Sequence, residues 1–278
     1  MDLKQGYTLI CRAIISNREK KRIRDTINFW NLGFIDDSSV MKTTVFKSNG
    51  IEVTLKDILG CGFDEWLGDN IIYSYLLDVL GKAMTGKCVV QLKQLPPRLA
   101  INWDRTVFKQ YDVVPFVLLP WNPSNSHWIL VVLCGFQKRR EEYDKTMVTK
   151  VYVLDPMYST ATSTSLEILK KLVASYVDYW GGTPPTVPSI EHVRGVQMQT
   201  NTSDCGVWVI LYCCVLIEYA FLFVTDPCSI FDNEIGSMFF DKIRVSLPDE
   251  MRIKILTWAL DQFKLETRRR MFQQYTEK

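Results

Sequence analysis

Apolar residues recur every four positions in the segment that follows Trp66. This spacing places their side chains on one face of an α-helix and predicts an amphipathic helix. Asp64 can cap its first turn and Gly81 can end it. The apolar face consists of Leu67, Ile71, Tyr75 and Val79.

A second amphipathic helix is predicted before the pair Gly181-Gly182, because apolar residues there alternate spacings of three and four positions. The two glycines can adopt the left-handed conformation that closes many helices. The tail from Asp249 to about Gln274 also has helical composition. The apolar positions of the second helix are Leu166, Leu169, Val173, Tyr176 and Trp180.

Three short apolar and β-branched runs, each followed by a turn signal, predict neighbouring strands of one sheet. A further strand is predicted at His192–Gln199. The stretch Gln137–Lys150 is charged and lacks an apolar period, which predicts a protruding hairpin loop. The three runs are Val113–Leu119, Trp128–Leu133 and Val151–Leu154.

The segment Gly206–Val224 is apolar on every side of a helix apart from Glu218, and its length is close to that of a membrane span. However, Asp204 precedes it, Asp226 follows it, and no cluster of basic residues flanks it. Glu218 in lipid would also cost a few kcal/mol. We therefore interpret the segment as a helix that is buried within a large domain.

Strands and helices follow one another without regular βαβ alternation, which favours an α+β fold. Residues 1–50 carry weak signals and are interpreted as an N-terminal appended segment, with the main domain over residues 51–278. The basic run Lys20–Arg24 has the composition of a nuclear import signal or of a solvated helix face.

The composition is that of a folded protein, since 47% of the 278 residues are hydrophobic and the net charge is only +2. Such a balance excludes disorder for most of the chain and provides no basic footprint for nucleic acid. The eight cysteines are dispersed and no secretory segment is evident. We therefore expect free thiols and an intracellular protein, nuclear or cytoplasmic.

Two histidines are present, and one of them lies in a setting that suits chemistry. His127 follows the polar turn WNPSNS and opens the run WILVVL, so a strand would hold its imidazole at a surface cleft. Asp155 ends another predicted strand and could contact His127 if the strands are neighbours. The alternative is a turn-forming Asp-Pro pair that needs no partner. His192 lacks a comparable setting.

Cys205 lies where the polar turn Asn201–Asp204 meets the long apolar helix. Backbone N–H groups at a helix N-terminus stabilise a thiolate, and a neighbouring imidazolium adds to this effect, so Cys205 can act as a nucleophile. The alternative is a small buried hydrophobe. Cys213 and Cys214, deep in the apolar run, have the sequence context of that alternative.

The sequence lacks the motifs of a zinc site, a serine hydrolase or a phosphate-binding loop. No Cys-x-x-Cys pair occurs, and the adjacent Cys213 and Cys214 would project about 100° apart on a helix, so they cannot share a zinc ion. Neither a Gly-x-Ser-x-Gly motif nor a phosphate-binding loop is present.

The order of four residues along the chain is informative: His127, Asp155, Gln199 and Cys205. With Trp128 after the histidine, this arrangement resembles the ubiquitin-like-protein-specific cysteine peptidases, the SUMO-deconjugating family. Papain-like enzymes in which the cysteine precedes the histidine along the chain have a different order, so the order distinguishes the two groups.

A block further upstream, EWLGDNIIYSYL, resembles the Trp-Leu-Asn-Asp block of the same family, with Trp66, Leu67 and Asp69 in register. The resemblance covers roughly residues 51–225. The sequence departs from the family in two residues, because Gly68 stands where Asn is usual and Pro156 follows the aspartate. It also carries the charged insert between the histidine and the aspartate.

The resemblance implies a papain-like α+β fold with a central mixed sheet and with the nucleophile at the N-terminus of a buried helix. It implies that Cys205 attacks a carbonyl and that His127 transfers the proton. It further implies that Asp155 orients the imidazole and that Gln199 helps to bind the oxyanion. No metal or organic cofactor is implied.

The resemblance also implies a narrow channel for the Gly-Gly tail of a modifier, covered by Trp66 and Trp128 with Asp69 nearby. The leading hypothesis is a thiol peptidase that removes SUMO or another ubiquitin-like modifier from lysine or processes its precursor. The alternatives are a viral or mobile-element endopeptidase that cuts a precursor polyprotein, an acyltransferase that consumes acetyl-CoA, and a non-catalytic modifier-binding module. Neither nucleic acid nor a membrane is indicated as a partner.

Overall fold

A computed structural model describes residues 42, 44–62, 65–83, 90–92, 114–123, 126–135, 148–157, 163–179, 181–184, 186–193, 196, 198–232, 240 and 247–276. Residues 137–147 of the predicted loop Gln137–Lys150 lie outside these ranges, as does most of the appended segment. The last three residues of that prediction, Val148–Lys150, lie in a strand instead, because they pair with the segment that ends at Gly135. The elements, in chain order, are β1 (Thr44–Ser48), β2 (Ile51–Thr54), α1 (Leu55–Leu59), α2 (Asp69–Ala83), β3 (Val90–Leu92), β4 (Phe116–Trp121), β5 (Ile129–Gly135), β6 (Val148–Leu154), α3 (Ser163–Tyr179), β7 (Ser189–His192), α4 (Cys205–Tyr219), a 3₁₀ turn (Ala220–Phe223), α5 (Ser229–Asp232) and α6 (Leu247–Thr276).

The chain divides into two compact units. The first unit contains Met1–Gly81, Asn201–Val207 and Ser246–Lys278, and the second contains Lys82–Thr200 and Trp208–Val245. Helix α4 therefore begins in the first unit and continues in the second. The predicted division at residue 50 stays a prediction; that residue lies in the β1–β2 hairpin turn, where Asn49 and Gly50 have φ of 51° and 81°.

The second unit is built on a mixed sheet with the strand order β3-β4-β5-β6-β7. Strands β4, β5 and β6 are antiparallel neighbours, as the three apolar runs predicted, whereas β3 and β7 pair in parallel at the two edges. The mixed sheet and the irregular order of elements confirm the predicted α+β class. The strand predicted at His192–Gln199 lies earlier, at Ser189–His192, because its partner β6 ends at Leu154.

Both faces of this sheet are buried, which explains why its central strands read as continuous apolar runs. Helix α3 covers one face, where its Leu169, Leu172 and Tyr176 join the core. It ends in a left-handed cap, since Gly181 and Gly182 have φ of 78° and 88° and donate backbone hydrogen bonds to the last turn. Trp180, which the sequence placed on this helix, lies outside the described residues.

Helix α4 is the predicted buried helix. Residues Cys205–Phe223 are long and apolar enough to cross a membrane, but 89% of that stretch is buried inside the protein. Its Tyr212 contacts Phe240, which stacks on Phe231, and Phe231 stacks on Tyr152 of the sheet. These aromatic contacts link helix α4 to the sheet through Tyr152.

In the first unit, helix α6 packs through Trp258 edge-on against Phe46 of β1 and Tyr75 of α2. The predicted apolar face of α2 is confirmed, because Ile71, Tyr75 and Val79 are buried. The helix itself runs from Asp69 to Ala83 rather than from Trp66 to Gly81. The helix starts later because its first backbone hydrogen bond goes from Ile72 to the carbonyl of Gly68. It continues past Gly81, since an exposed glycine within a helix costs only about 1 kcal/mol.

Candidate active site

The imidazole of His127 and the carboxylate of Asp155 are in contact, with 2.7 Å between Nε2 and Oδ1. Strand β5 begins at Ile129 and β6 ends at Leu154, and the antiparallel pairing of Leu130 with Leu154 places both ends at the same edge of the sheet. The predicted meeting of the two side chains is therefore present. Asp155 is buried and His127 is partly exposed, so the imidazole remains accessible to solvent.

Asp155 also completes the turn that follows β6, because its Oδ1 accepts a hydrogen bond of 2.7 Å from the backbone N–H of Met157. The turn-forming interpretation and the partner interpretation of this residue thus both apply. The hydrogen bond from the Met157 N–H restrains the same carboxylate oxygen that contacts His127. A carboxylate held in this way orients an imidazole.

Asn122 and Tyr212 are neighbours of this pair that sequence reasoning missed. Asn122 Oδ1 accepts a hydrogen bond of 3.2 Å from the backbone N–H of His127, which restrains the turn before β5. Burial raises the pKa of Tyr212, and the charge of Asp155 raises it further, so the phenol stays neutral. Tyr212 lies two helical turns after Cys205 on α4, so the two residues share a helix face. This spacing could have indicated from the sequence that Tyr212 lies near the candidate site.

Gln199 is positioned beside the end of β6 by its backbone. Its N–H donates a hydrogen bond of 3.0 Å to the carbonyl of Pro156, the residue after Asp155. The structure thus brings the predicted base, the predicted orienting carboxylate and the segment of the predicted oxyanion residue together within the second unit. His192 ends β7, where it pairs with Val153.

Cys205 is the first residue of α4, as predicted, and it is only 1% exposed. The turn before it is held by Asn201, whose Oδ1 accepts hydrogen bonds from the backbone N–H groups of Ser203 and Asp204. Cys213 behaves as the sequence predicted for a packing residue, because burial raises the pKa of its thiol well above the usual range.

The tryptophan block lies in the first unit. Trp66 is 43% exposed and precedes α2, whereas Trp128 of the second unit is buried. Asp69 is the first residue of α2, and burial raises the pKa of its carboxyl, as does the nearby charge of Asp57. The substrate-binding roles of these residues stay predictions.

The glycine at position 68 has a structural reason. A Cβ on Gly68 would lie 2.8 Å from Oδ1 of Asp57. The Asp57 carboxylate is held there by a capping box with Thr54 and by Nδ2 of Asn70. Asp57 therefore occupies the space that a side chain at position 68 would need.

No group of three or more metal-ligating His, Cys, Asp or Glu side chains occurs within the described ranges. The chemistry that these residues can support is nucleophilic, with a thiol at a helix start and a histidine-carboxylate pair.

Residues 96–252 match the Ulp1 protease family, C-terminal catalytic domain. Among solved structures, the fold is similar to that of a de-sumoylating protease, with 19% identity and a TM-score of 0.59 over 84% of this chain and 97% of that chain. It is also similar to the Ulp1-like SUMO protease catalytic domain of Chaetomium thermophilum, with 18% identity and a TM-score of 0.51 over 87% and 90% of the two chains.

A third similar structure is the SUMO protease Ulp1 with its catalytic cysteine oxidised to a sulfenic acid, with 16% identity and a TM-score of 0.50 over 88% of this chain and 97% of that chain. These similarities confirm the papain-like α+β fold. No curated protein sequence matches the chain at a significant level. The family match spans more than half of the 278 residues and includes the histidine, the carboxylate and the cysteine described above. The chain therefore belongs to the Ulp1 protease family and is a cysteine peptidase by membership.

Proposed function

We propose that this protein is a thiol peptidase that cleaves after the Gly-Gly C-terminus of SUMO or another ubiquitin-like modifier, from lysine conjugates, from a precursor, or from both. The observation that carries the proposal is the 2.7 Å contact between His127 and Asp155, in a chain of the Ulp1 family whose Cys205 begins a helix. The SUMO preference is supported by the similar solved structures, which are SUMO proteases.

In the proposed mechanism, the Cys205 thiolate attacks the carbonyl carbon of the terminal glycine. The side-chain amide of Gln199 and the backbone N–H of Cys205 stabilise the oxyanion. His127 protonates the departing amine, which leaves a thioester on the cysteine. The same imidazole then takes a proton from water, which hydrolyses the thioester, and Asp155 keeps the ring oriented through both steps.

The proposal is tested with modifiers that carry a C-terminal electrophile, offered as a panel of SUMO-type, other ubiquitin-like and ubiquitin probes. We expect a covalent adduct with a SUMO-type probe at Cys205, identified by peptide mapping and mass spectrometry. Mapping is needed because a hydrogen bond from Cys134 lowers the pKa of Cys228 to about 7, so this largely buried thiol is a second position to check for labelling. The control is Cys205→Ala, which should lose the SUMO-type adduct, so that any label left on this variant would map to Cys228.

A panel without any Cys205 adduct would contradict the proposal. Consumption of acetyl-CoA with transfer to a protein acceptor would favour the acyltransferase alternative. Tight binding of a modifier without reaction would favour the binding module.

Trp66 is expected to restrict the substrate to glycine before the cleaved bond. If its indole covers the channel, Gly-Ala substrates should lose more kcat/KM than the roughly 10 to 200-fold effect of one methylene in an ordinary pocket. Trp66→Ala should lower activity and relax this discrimination, because the space that opens admits a methyl group while the scissile carbonyl is aligned less well. The measurement is kcat/KM for Gly-Gly and Gly-Ala substrates, together with thermal melts.

The matched control is Phe221→Ala, another exposed aromatic residue, which should change neither the ratio nor the activity. Because Trp66 is 43% exposed, its removal should lower the melting temperature little. A clearly lowered melting temperature with an unchanged selectivity ratio would show instead that Trp66 has a packing role.

A further inference from the structure

Arg252 is a charged residue in the interior of the first unit, and only 1% of it is exposed. It lies on helix α6, and a buried guanidinium is tolerated only where it is paired and fully hydrogen-bonded. Its Nε donates to Oδ1 of Asp204 at 2.8 Å, and Nη2 lies 2.7 Å from the same oxygen. The remaining donors reach four backbone carbonyls, those of Gly60, Gly62, Glu65 and Ser203.

These acceptors belong to two segments that are distant in sequence. Ser203 and Asp204 belong to the turn before Cys205. The other three acceptors, the carbonyls of Gly60, Gly62 and Glu65, precede Trp66 in the sequence. The guanidinium is thus a rigid connection between the turn of the nucleophile and the segment that carries the exposed indole. Lysine could not replace it, because an ammonium has three donors and no planar fork.

Asp204 is held from both sides. While Oδ1 contacts Arg252, Oδ2 accepts a hydrogen bond of 2.7 Å from Nδ2 of Asn201. The Asn201 Oδ1 accepts a further hydrogen bond of 3.0 Å from the Asp204 backbone N–H. With both carboxylate oxygens and the backbone nitrogen restrained, the orientation of the following peptide group is restrained too. That peptide group carries the N–H of Cys205.

We propose that Arg252 is a positioning residue that, through Asp204, orients the Asp204–Cys205 peptide so that its N–H can donate to the oxyanion. This inference rests on the proposed function, in which Cys205 is the nucleophile. It predicts that loss of the guanidinium impairs acyl transfer more than it impairs the intrinsic reactivity of the thiol. Alkylation by iodoacetamide separates the two, because displacement of iodide forms no oxyanion.

The test compares the wild-type chain with Arg252→Lys, which keeps the charge. We expect kcat on a modifier substrate to fall about 10 to 100-fold with little change in KM, since misalignment by about 1 Å has such an effect. The alkylation rate of Cys205, measured by peptide mapping below the melting temperature, should stay within about threefold. Lys264→Met is the control on the same helix, because Lys264 lies at the surface in an exposed ion pair with Asp261, and it should change neither rate.

Asn201→Ala tests the same restraint from the opposite side and decides the matter if Arg252→Lys does not fold. It should show the same separation of kcat from alkylation. A parallel fall of both rates, or a lowered melting temperature with unchanged kcat, would overturn the inference and leave Arg252 a purely structural role. A wild type that hydrolyses no modifier would instead contradict the proposed function, so the two failures are distinguishable.

Discussion

Replacement of Cys205 by alanine is expected to abolish turnover while the protein remains folded. Cys205 begins helix α4, where backbone N–H groups stabilise a thiolate, and alanine supplies no nucleophile. The loss should reach the detection limit of a modifier hydrolysis assay. Circular dichroism and a thermal melt should show that the fold is retained, since one small side chain is removed.

Cys213→Ala is the matched control on the same helix. Burial raises the pKa of the Cys213 thiol, so this residue cannot serve as the nucleophile at neutral pH, and turnover should be retained. Its removal from a fully buried position should lower the free energy of unfolding by on the order of 1 kcal/mol. Full activity of Cys205→Ala would contradict the mechanism.

Replacement of His127 by alanine should be about as damaging as loss of Cys205, because no other group in the proposed mechanism transfers the proton. Asp155→Asn should leave a residual rate, since the amide can still occupy the position beside Nε2 but does not stabilise an imidazolium. The difference is measured as kcat for the two variants under saturating substrate. We therefore expect a larger loss of kcat for His127→Ala than for Asp155→Asn.

His192→Ala is the control for this prediction, as the remaining histidine of the chain. It should retain nearly full kcat. If His192→Ala were inactive and His127→Ala active, the base would have been assigned to the wrong histidine.

The described structure shows a reason for two sequence predictions whose bounds were wrong. The strand expected at His192–Gln199 lies earlier because pairing requires a partner, and β6 ends at Leu154. Helix α2 starts later than the apolar period suggested, because a period marks which positions face the core and not where the first hydrogen bond forms. Boundaries of this kind depend on neighbours that are distant in sequence.

Local patterns sufficed where short-range chemistry decides the structure. The buried helix from Cys205, the left-handed cap at Gly181 and Gly182, and the strands next to His127 and Asp155 all follow from periodicity and from turn residues nearby. The position of a thiol at a helix start is likewise a local property. The sequence thus determined which residues are the candidates for a nucleophile, a base and an orienting carboxylate.

Tertiary structure alone decided how these residues are supported. Nothing in the sequence connects Arg252 to Asp204 across 48 positions, because such contacts depend on how helices pack and not on spacing along the chain. Only the fold could also show that Asp57 occupies the space beside Gly68. A buried charge needs hydrogen-bond partners, and the packing of segments that are distant in sequence supplies them.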